Sequence, residues 1–208
     1  VPQTKSDQGN WYYCPDDKTI EGVRLSHQPS PWIGDYTPLI FMPQREAFFQ
    51  NPSTRRSFFR QDKTILSPER IQIYFERYRA GMEVIPTQRG GVIRLKFDGS
   101  DGAAFALFTK PGITDFDLDV ENRRLTGSTN YSFNKTAENF RMYFVIDFSC
   151  PVEKDQCILQ PADAYSPGAY IALTEKEVEI RLAVSYISIQ QALVTLENET
   201  SKPFSALL

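Results

Sequence analysis

The sequence predicts a mainly β protein, an antiparallel β-sandwich followed by one C-terminal helix, and three observations carry that prediction. Apolar and charged residues alternate over several short runs, clusters of Gly, Pro, Asp and Ser punctuate them, and a helical period is convincing only near the end. At 208 residues the chain is long enough for one large core, since all-β folds of roughly 200–250 residues are ordinary single domains.

The first 60 residues carry both tryptophans, the single histidine, several prolines and many Tyr and Phe, with little alternation apart from Leu39-Ile40-Phe41-Met42. From Ser67 onward the strand signal is clear. Ile71, Ile73 and Phe75 share one face, and in the run 92–97 Ile93, Leu95 and Phe97 oppose Arg94 and Lys96. The run 103–108 is almost wholly apolar, and the stretch from Asp115 to Tyr131 alternates around Asn122-Arg123-Arg124, so both are read as further strands. Met142, Phe144, Ile146 and Phe148 oppose Arg141 and Asp147, and Val178, Ile180, Leu182, Val184 and Tyr186 oppose Glu179 and Arg181. Turn chemistry separates these runs at Arg89-Gly90-Gly91, Asp98-Gly99-Ser100-Asp101-Gly102, Lys110-Pro111-Gly112 and Ser166-Pro167-Gly168. Ser188-Ile189-Gln190-Gln191 reads as a capping box, after which Ile189, Leu193 and Leu196 recur on one helical face before Pro203. The expected division is a sandwich over 1–187, then a linker helix and the start of a connection to a further domain over 188–208.

A formal net charge of -3 and a pI near 5.3 argue against a phosphate backbone as partner, because sequence-independent nucleic-acid affinity needs clustered Lys and Arg. The pairs Arg55-Arg56 and Arg123-Arg124 are too short for polyanion binding and read as solvated faces. No apolar stretch approaches the ~20 residues of a spanning helix, and no basic-then-apolar leader opens the chain, so no membrane insertion is expected. Cys14, Cys150 and Cys157 cannot all pair and show no metal-ligand spacing. That arithmetic fits a bacterial cytoplasm as well as a secreted or periplasmic setting without disulfides. One histidine rules out an imidazole cluster, so no metal site and no Ser/His nucleophile is expected from this chain alone. Glu83, before Pro86-Thr87, is expected to pair with Arg77 or Arg79 rather than to act as an acid or base.

The densest constellation runs from Glu21 to Tyr36. Pro29 and Pro31 fix φ and bias Gln28 and Ser30 to extended backbone, and Gly34 permits a tight turn before Asp35. Trp32, Asp35, His27 and Gln28 together suit a sugar, offering a flat ring to the C–H face of a pyranose and polar groups to its hydroxyls. The residues alone favour a core role over a ligand role: Trp32 between Pro31 and Ile33 as an apolar plug, Asp35 as a turn cap, His27 as a satisfied hydrogen-bonding group.

The stretch from Gly22 to Tyr36, GVRLSHQPSPWIGDY, resembles the signature segment of the amino-terminal domain of glycoside hydrolase family 92, calcium-dependent exo-acting α-mannosidases of the α-1,2-mannosidase type. The likeness continues through Gln8 to Tyr13, Phe41-Met42-Pro43, the run from Arg77 to Thr87 with its E-x-x-P-T element, and Glu179 to Ser188, nearly the whole chain. The resemblance implies a supersandwich-like, galactose-mutarotase-type domain preceding a larger helical catalytic domain. It implies hydrolysis of terminal α-mannose, as in mannosides or N-glycans, with inversion, for which two carboxyls about 6.5–9.5 Å apart serve as acid and base. Those carboxyls and the calcium would belong to the other domain, leaving this chain inactive alone. Within it, Trp32 would pack against the sugar, Asp35 would accept hydrogen bonds from hydroxyls, and His27 and Gln28 would form polar wall. Two rival functions, a stand-alone carbohydrate-binding module and a purely structural sandwich, differ in whether Trp32 is exposed or buried.

Overall fold

The computed structural model describes residues 2–5, 13–14, 16–25, 38–99, 101–110, 112, 114–130, 140–161 and 167–207. Fifteen strands occur among them, in chain order β1 (Pro2–Lys5), β2 (Thr19–Arg24), β3 (Ile40–Arg45), β4 (Ser57–Phe58), β5 (Ile65–Leu66), β6 (Ile71–Phe75), β7 (Ala80–Pro86), β8 (Gly90–Phe97), β9 (Ala103–Phe108), β10 (Thr114–Asp119), β11 (Arg124–Thr129), β12 (Met142–Phe148), β13 (Ile158–Gln160), β14 (Gly168–Ala172) and β15 (Glu177–Ser185). A single helical turn, α1 (Pro52–Arg55), precedes β4, and a longer helix, α2 (Ile189–Thr200), follows β15.

The strands form two antiparallel sheets. Sheet A runs β1-β2-β3-β9-β14-β13 with β4 beside β2, and sheet B runs β10-β11-β12-β15-β8-β7-β6-β5. Alternation sends one set of side chains from each sheet inward, which makes the sandwich. Phe41 stacks on Phe105 at 6.1 Å within sheet A, and Phe105 meets Phe148 of sheet B edge-on at 5.8 Å, with Ile73, Met82, Leu95, Ile146, Ile180 and Leu182 buried around them. At roughly 25 cal/mol per Å2, each such aromatic contributes several kcal/mol of apolar transfer.

The two outer faces differ. On sheet A, the chain between β3 and β4 folds back over the outward side chains of β9 and β14. Phe48 stacks on Phe108 at 5.7 Å and tilts against Tyr170 at 5.8 Å, so β9 and β14 are buried on both sides. The Arg55 guanidinium lies 4.1 Å above the Phe108 ring, and Arg55 is 1% exposed, which corrects the reading of Arg55-Arg56 as a solvated pair. The sheet beneath is apolar on both faces, and it is the aromatic ring and two carbonyls that receive the guanidinium.

On sheet B, α2 covers half of the outer face. Ser188 caps it, its Oγ accepting from the Gln191 N–H at 3.1 Å, and Ala192 and Leu196 pack on Val145 and Ala183. Phe204 then seats against Ile85 and Val92. Outward ion pairs flank the helix, Arg124 of β11 with Asp147 of β12 at 2.6 Å on one side and Arg70 with Glu83 of β7 at 2.6 Å on the other. Glu83 therefore pairs with Arg70, not with Arg77 or Arg79. The register sets Gln72 opposite Glu83 and places Arg70 just beyond the start of β6, whereas Arg77 stacks over Phe49 at 4.3 Å and Arg79 pairs with Asp98 at 3.5 Å. The three cysteines are free thiols. No helix is long and apolar enough to cross a membrane among the described residues.

Candidate functional site at one end of the sandwich

The segment 26–37 leaves sheet A at the end of β2 and returns at the start of β3. The ladder pairs Val23 with Phe41 and Arg24 with Ile40, and the Leu25 N–H donates to the Leu39 carbonyl at 3.1 Å. Both ends of the segment are thus fixed on adjacent, paired strands. His27, Gln28, Trp32 and Asp35 all lie outside the described residues, so the structure gives the footing of the segment and not the arrangement of these four side chains.

That footing is polar and buried. The register between β1 and β2 shifts at Gln3/Thr4, and Gly22 in β2 has φ of +137°, a conformation that L side chains rarely adopt. Across this irregularity Gln3 joins two charged side chains, its Nε2 donating to Glu21 Oε2 at 3.1 Å and its Oε1 accepting from Arg24 Nε at 3.1 Å. The Arg56 Nε donates to Glu21 Oε1 at 2.9 Å. The Arg55 Nε donates to the Glu21 carbonyl at 3.0 Å and the Tyr78 hydroxyl to the Arg55 carbonyl at 2.7 Å. Glu21 and Arg24 are 4% and 6% exposed. Burial pulls the Arg55 guanidinium down to about 10, and burial pushes the Tyr78 phenol up to about 12. One carboxylate facing three guanidinium groups, linked through amide and carbonyl oxygens, makes a rigid root for whatever the segment carries.

Other strand termini meet at the same end. The ends of β9, β10 and β11 are tied by three buried threonines, Thr109 Oγ1 to Thr114 Oγ1 at 2.9 Å and Thr114 Oγ1 to Thr129 Oγ1 at 3.2 Å, which links sheet A to sheet B. The Thr109 N–H donates to the Pro167 carbonyl at 2.8 Å, just before β14. Between the sheets, Val23, Leu25 and Phe41 face Pro86, Gly90, Gly91 and Leu182 around a small gap of about 60 Å3. Beyond β15 a depression of about 370 Å3 is lined by Arg89, Tyr186, Ile187, Gln191 and Thr195. Tyr186 stacks on Phe140 at 5.3 Å, and Ile187 is 75% exposed. The Glu199 carboxylate clamps the β7–β8 turn, accepting from Thr87 Oγ1 at 2.7 Å and the Arg89 N–H at 2.9 Å.

Three described carboxylates near this end hold structure: Glu21 with Arg56, Glu199 with the turn, and Asp115 with Arg141 at 2.6 Å. Among the described residues no group of three or more His, Cys, Asp or Glu side chains could hold a metal ion. This end can support a wall and present aromatic and polar side chains. Sequence reasoning missed the Arg55 and Arg56 anchors and the threonine tie. The available signals were Glu21 and Arg24 placed among apolar strand residues, and Thr109, Thr114 and Thr129 closing three strand runs.

Among curated proteins none matches this sequence. Among solved structures the chain is similar to an inverting family GH92 mannosidase of Bacteroides thetaiotaomicron VPI-5482, at 24% identity and a TM-score of 0.83, covering 100% of this chain and 29% of that one. It is also similar to a family GH92 α-mannosidase of Bacteroides thetaiotaomicron, at 18% identity and a TM-score of 0.75, with 100% and 32% covered. The complex of that enzyme with mannoimidazole matches at the same identity and TM-score. The chain spans about a third or less of the length of these relatives. A family model described as the glycosyl hydrolase family 92 N-terminal domain matches residues 1–185. The two sheets, the anchored β2–β3 segment and this match over nearly the whole chain agree: the chain belongs to glycosyl hydrolase family 92, as its N-terminal domain.

Proposed function

We propose that this chain is the amino-terminal wall of the sugar site of an exo-acting α-mannosidase, inactive alone and completed by a helical catalytic domain of the same polypeptide. The observation that carries the reading is the footing of segment 26–37, closed by the Leu25–Leu39 hydrogen bond and braced by Glu21, Arg24 and Arg55 at one end of the sandwich. A segment so rooted can hold a flat ring at a fixed place against a second domain. In this role Trp32 packs on the apolar face of a terminal mannose, Asp35 accepts hydrogen bonds from its hydroxyls, and His27 and Gln28 form polar wall beside them.

Inverting hydrolysis needs one carboxyl to protonate the leaving oxygen and a second, about 6.5–9.5 Å away, to activate water. The engaged state of Glu21, Asp115 and Glu199 supports assigning both to the other domain. Calcium would be held by residues of that domain, where it would supply Lewis-acid contact to the sugar. The test is an assay of α-1,2-linked mannobiose with the isolated chain and with the polypeptide extended through the catalytic domain. Turnover only by the extended form is expected. Turnover by the isolated chain would overturn the division of labour, and saturable mannan binding by the isolated chain, with no effect of Trp32→Ala in the extended form, would replace it by a stand-alone binding module.

A further inference from the structure

The uncovered half of sheet B's outer face carries a groove that lies apart from the β2–β3 end. Strand alternation and register place two rows of outward residues across β6, β7 and β8: Gln72 opposite Glu83 opposite Arg94, and Tyr74 opposite Gly81 opposite Lys96. With Lys63 they line a depression of about 330 Å3. The Tyr74 hydroxyl donates to Asp98 Oδ2 at 2.8 Å, which fixes the ring as one wall.

Gly81 is the residue that makes the groove. Its φ is not left-handed, and a Cβ added there would meet the Lys96 carbonyl oxygen at 3.8 Å and Tyr74 Cδ2 at 4.0 Å, both ordinary contacts. Neither backbone conformation nor crowding calls for glycine, although glycine inside a strand is less stable than alanine by roughly 0.5–1 kcal/mol. What glycine supplies is a bare floor between the Tyr74 ring and the Lys96 stem, the condition for close approach of a ligand.

The charges around that floor do not balance. Glu83 is neutralised by Arg70 and Lys96 by Glu177, each at 2.6 Å. In the strand register Arg94 stands between Glu83 and Glu179, whose carboxylates pair with Arg70 and Arg181, and no ion pair to Lys63 or Arg94 occurs among the described residues: the Lys63 Nζ lies 5.9 Å from the Tyr74 ring, and the Arg94 guanidinium is stacked on Phe204 at 4.0 Å. A planar guanidinium held on an aromatic face keeps its N–H edge available for an anion.

We propose that this groove binds an anionic sugar residue, a pyranose bearing a carboxylate or a phosphate. The ring lies over Gly81 against Tyr74, Arg94 and Lys63 take the anion, and Gln72 and Glu83 meet the hydroxyls. The site goes beyond the mannoside reading and stands independently of it.

The test uses the full polypeptide carrying Trp32→Ala, so that binding at the mannose subsite is weakened, titrated by calorimetry with mannose 6-phosphate, methyl α-glucuronopyranoside, methyl α-mannopyranoside and inorganic phosphate. At least one anionic sugar is expected to bind with Kd on the order of 1 mM, about tenfold or more tighter than the neutral mannoside and than inorganic phosphate. Which of the two binds identifies the anion. Gly81→Leu, which fills the slot, is expected to abolish that binding, and Arg94→Gln to weaken it about tenfold with the melting temperature retained. Equal binding of the neutral mannoside, equal binding of inorganic phosphate, binding that survives both Gly81→Leu and Arg94→Gln, or no saturation by either anionic sugar would each overturn the proposal.

Discussion

Replacing Gly22 by alanine tests whether the root of the β2–β3 segment is as tightly determined as the structure indicates. Gly22 has φ of +137°, and a Cβ there would stand 2.6 Å from Ile40 Cγ2 and 3.1 Å from the Phe41 carbonyl oxygen. Ile40 is the partner of Arg24 in the last rung before the segment, so a push on it displaces the root directly. A strained φ costs about 1–3 kcal/mol, and forcing a methyl group into packed surroundings adds about 1–3 kcal/mol. The expected loss for Gly22→Ala is therefore about 2–5 kcal/mol, a large part of a typical domain's stability. Gly81→Ala is the internal control: with ordinary φ and open space it is expected to be neutral or to stabilise by about 0.5–1 kcal/mol. Urea unfolding at neutral pH, followed by tryptophan fluorescence and circular dichroism, measures both. A Gly22→Ala midpoint within about 0.5 kcal/mol of the parent, or equal losses for the two variants, would refute the reasoning.

Phe105→Ala is expected to cost about 3–5 kcal/mol in the same assay, because Phe105 is fully buried and joins Phe41 of its own sheet to Phe148 of the other. Glu21→Gln removes the carboxylate that pairs with Arg56 and accepts from Gln3, and a loss of about 1–3 kcal/mol is expected, discounted because Arg56 is 33% exposed at the side chain. The pair Tyr78 and Arg55 predicts an alkaline effect. Tyr78 is raised from 10.0 to about 12, so the stability it contributes is whole below pH 10 and lost as pH rises towards 12. Arg55 is lowered to about 10, so over nearly the same window the unfolded chain holds the extra proton and stability rises. The two slopes oppose each other in the parent. Tyr78→Phe removes the falling one, and its stability relative to the parent is expected to grow by about 2–3 kcal/mol between pH 10 and 12, read from urea midpoints across that range. A pH-independent difference would contradict the assignment.

The parts of the fold legible in the sequence were those with one dry and one wet face. In β8 and β15, Ile93, Leu95, Val178 and Ile180 alternate with Arg94, Lys96, Glu179 and Arg181 because this part of sheet B's outer face lies beyond the cover of α2. Sheet A hid itself for the opposite reason. Its β14 is buried throughout by the chain that folds back over it, and β2 breaks alternation at a register shift beside Gly22, burying Glu21 and Arg24 with Ile20 and Val23. The same covering chain turned Arg55 from an expected surface charge into an anchor over Phe108. For the proposed site, the prolines, Trp32 and Asp35 single out a candidate segment whose four named side chains lie outside the described residues, and the resemblance marked the family. The network beneath it depends on contacts between residues far apart in sequence, Gln3, Glu21 and Arg56, which no local pattern discloses.

The central claim, that this domain supplies a wall and not the chemistry, is tested most directly by Trp32→Ala in the full polypeptide, measured as kcat/KM on α-1,2-linked mannobiose alongside the melting temperature. A fall of about 10- to 100-fold, equivalent to about 1.4–2.8 kcal/mol, with an unchanged melting temperature is the predicted result. Unchanged kcat/KM, or a loss of activity that only follows a loss of several kcal/mol in stability, would contradict it and make Trp32 a core residue.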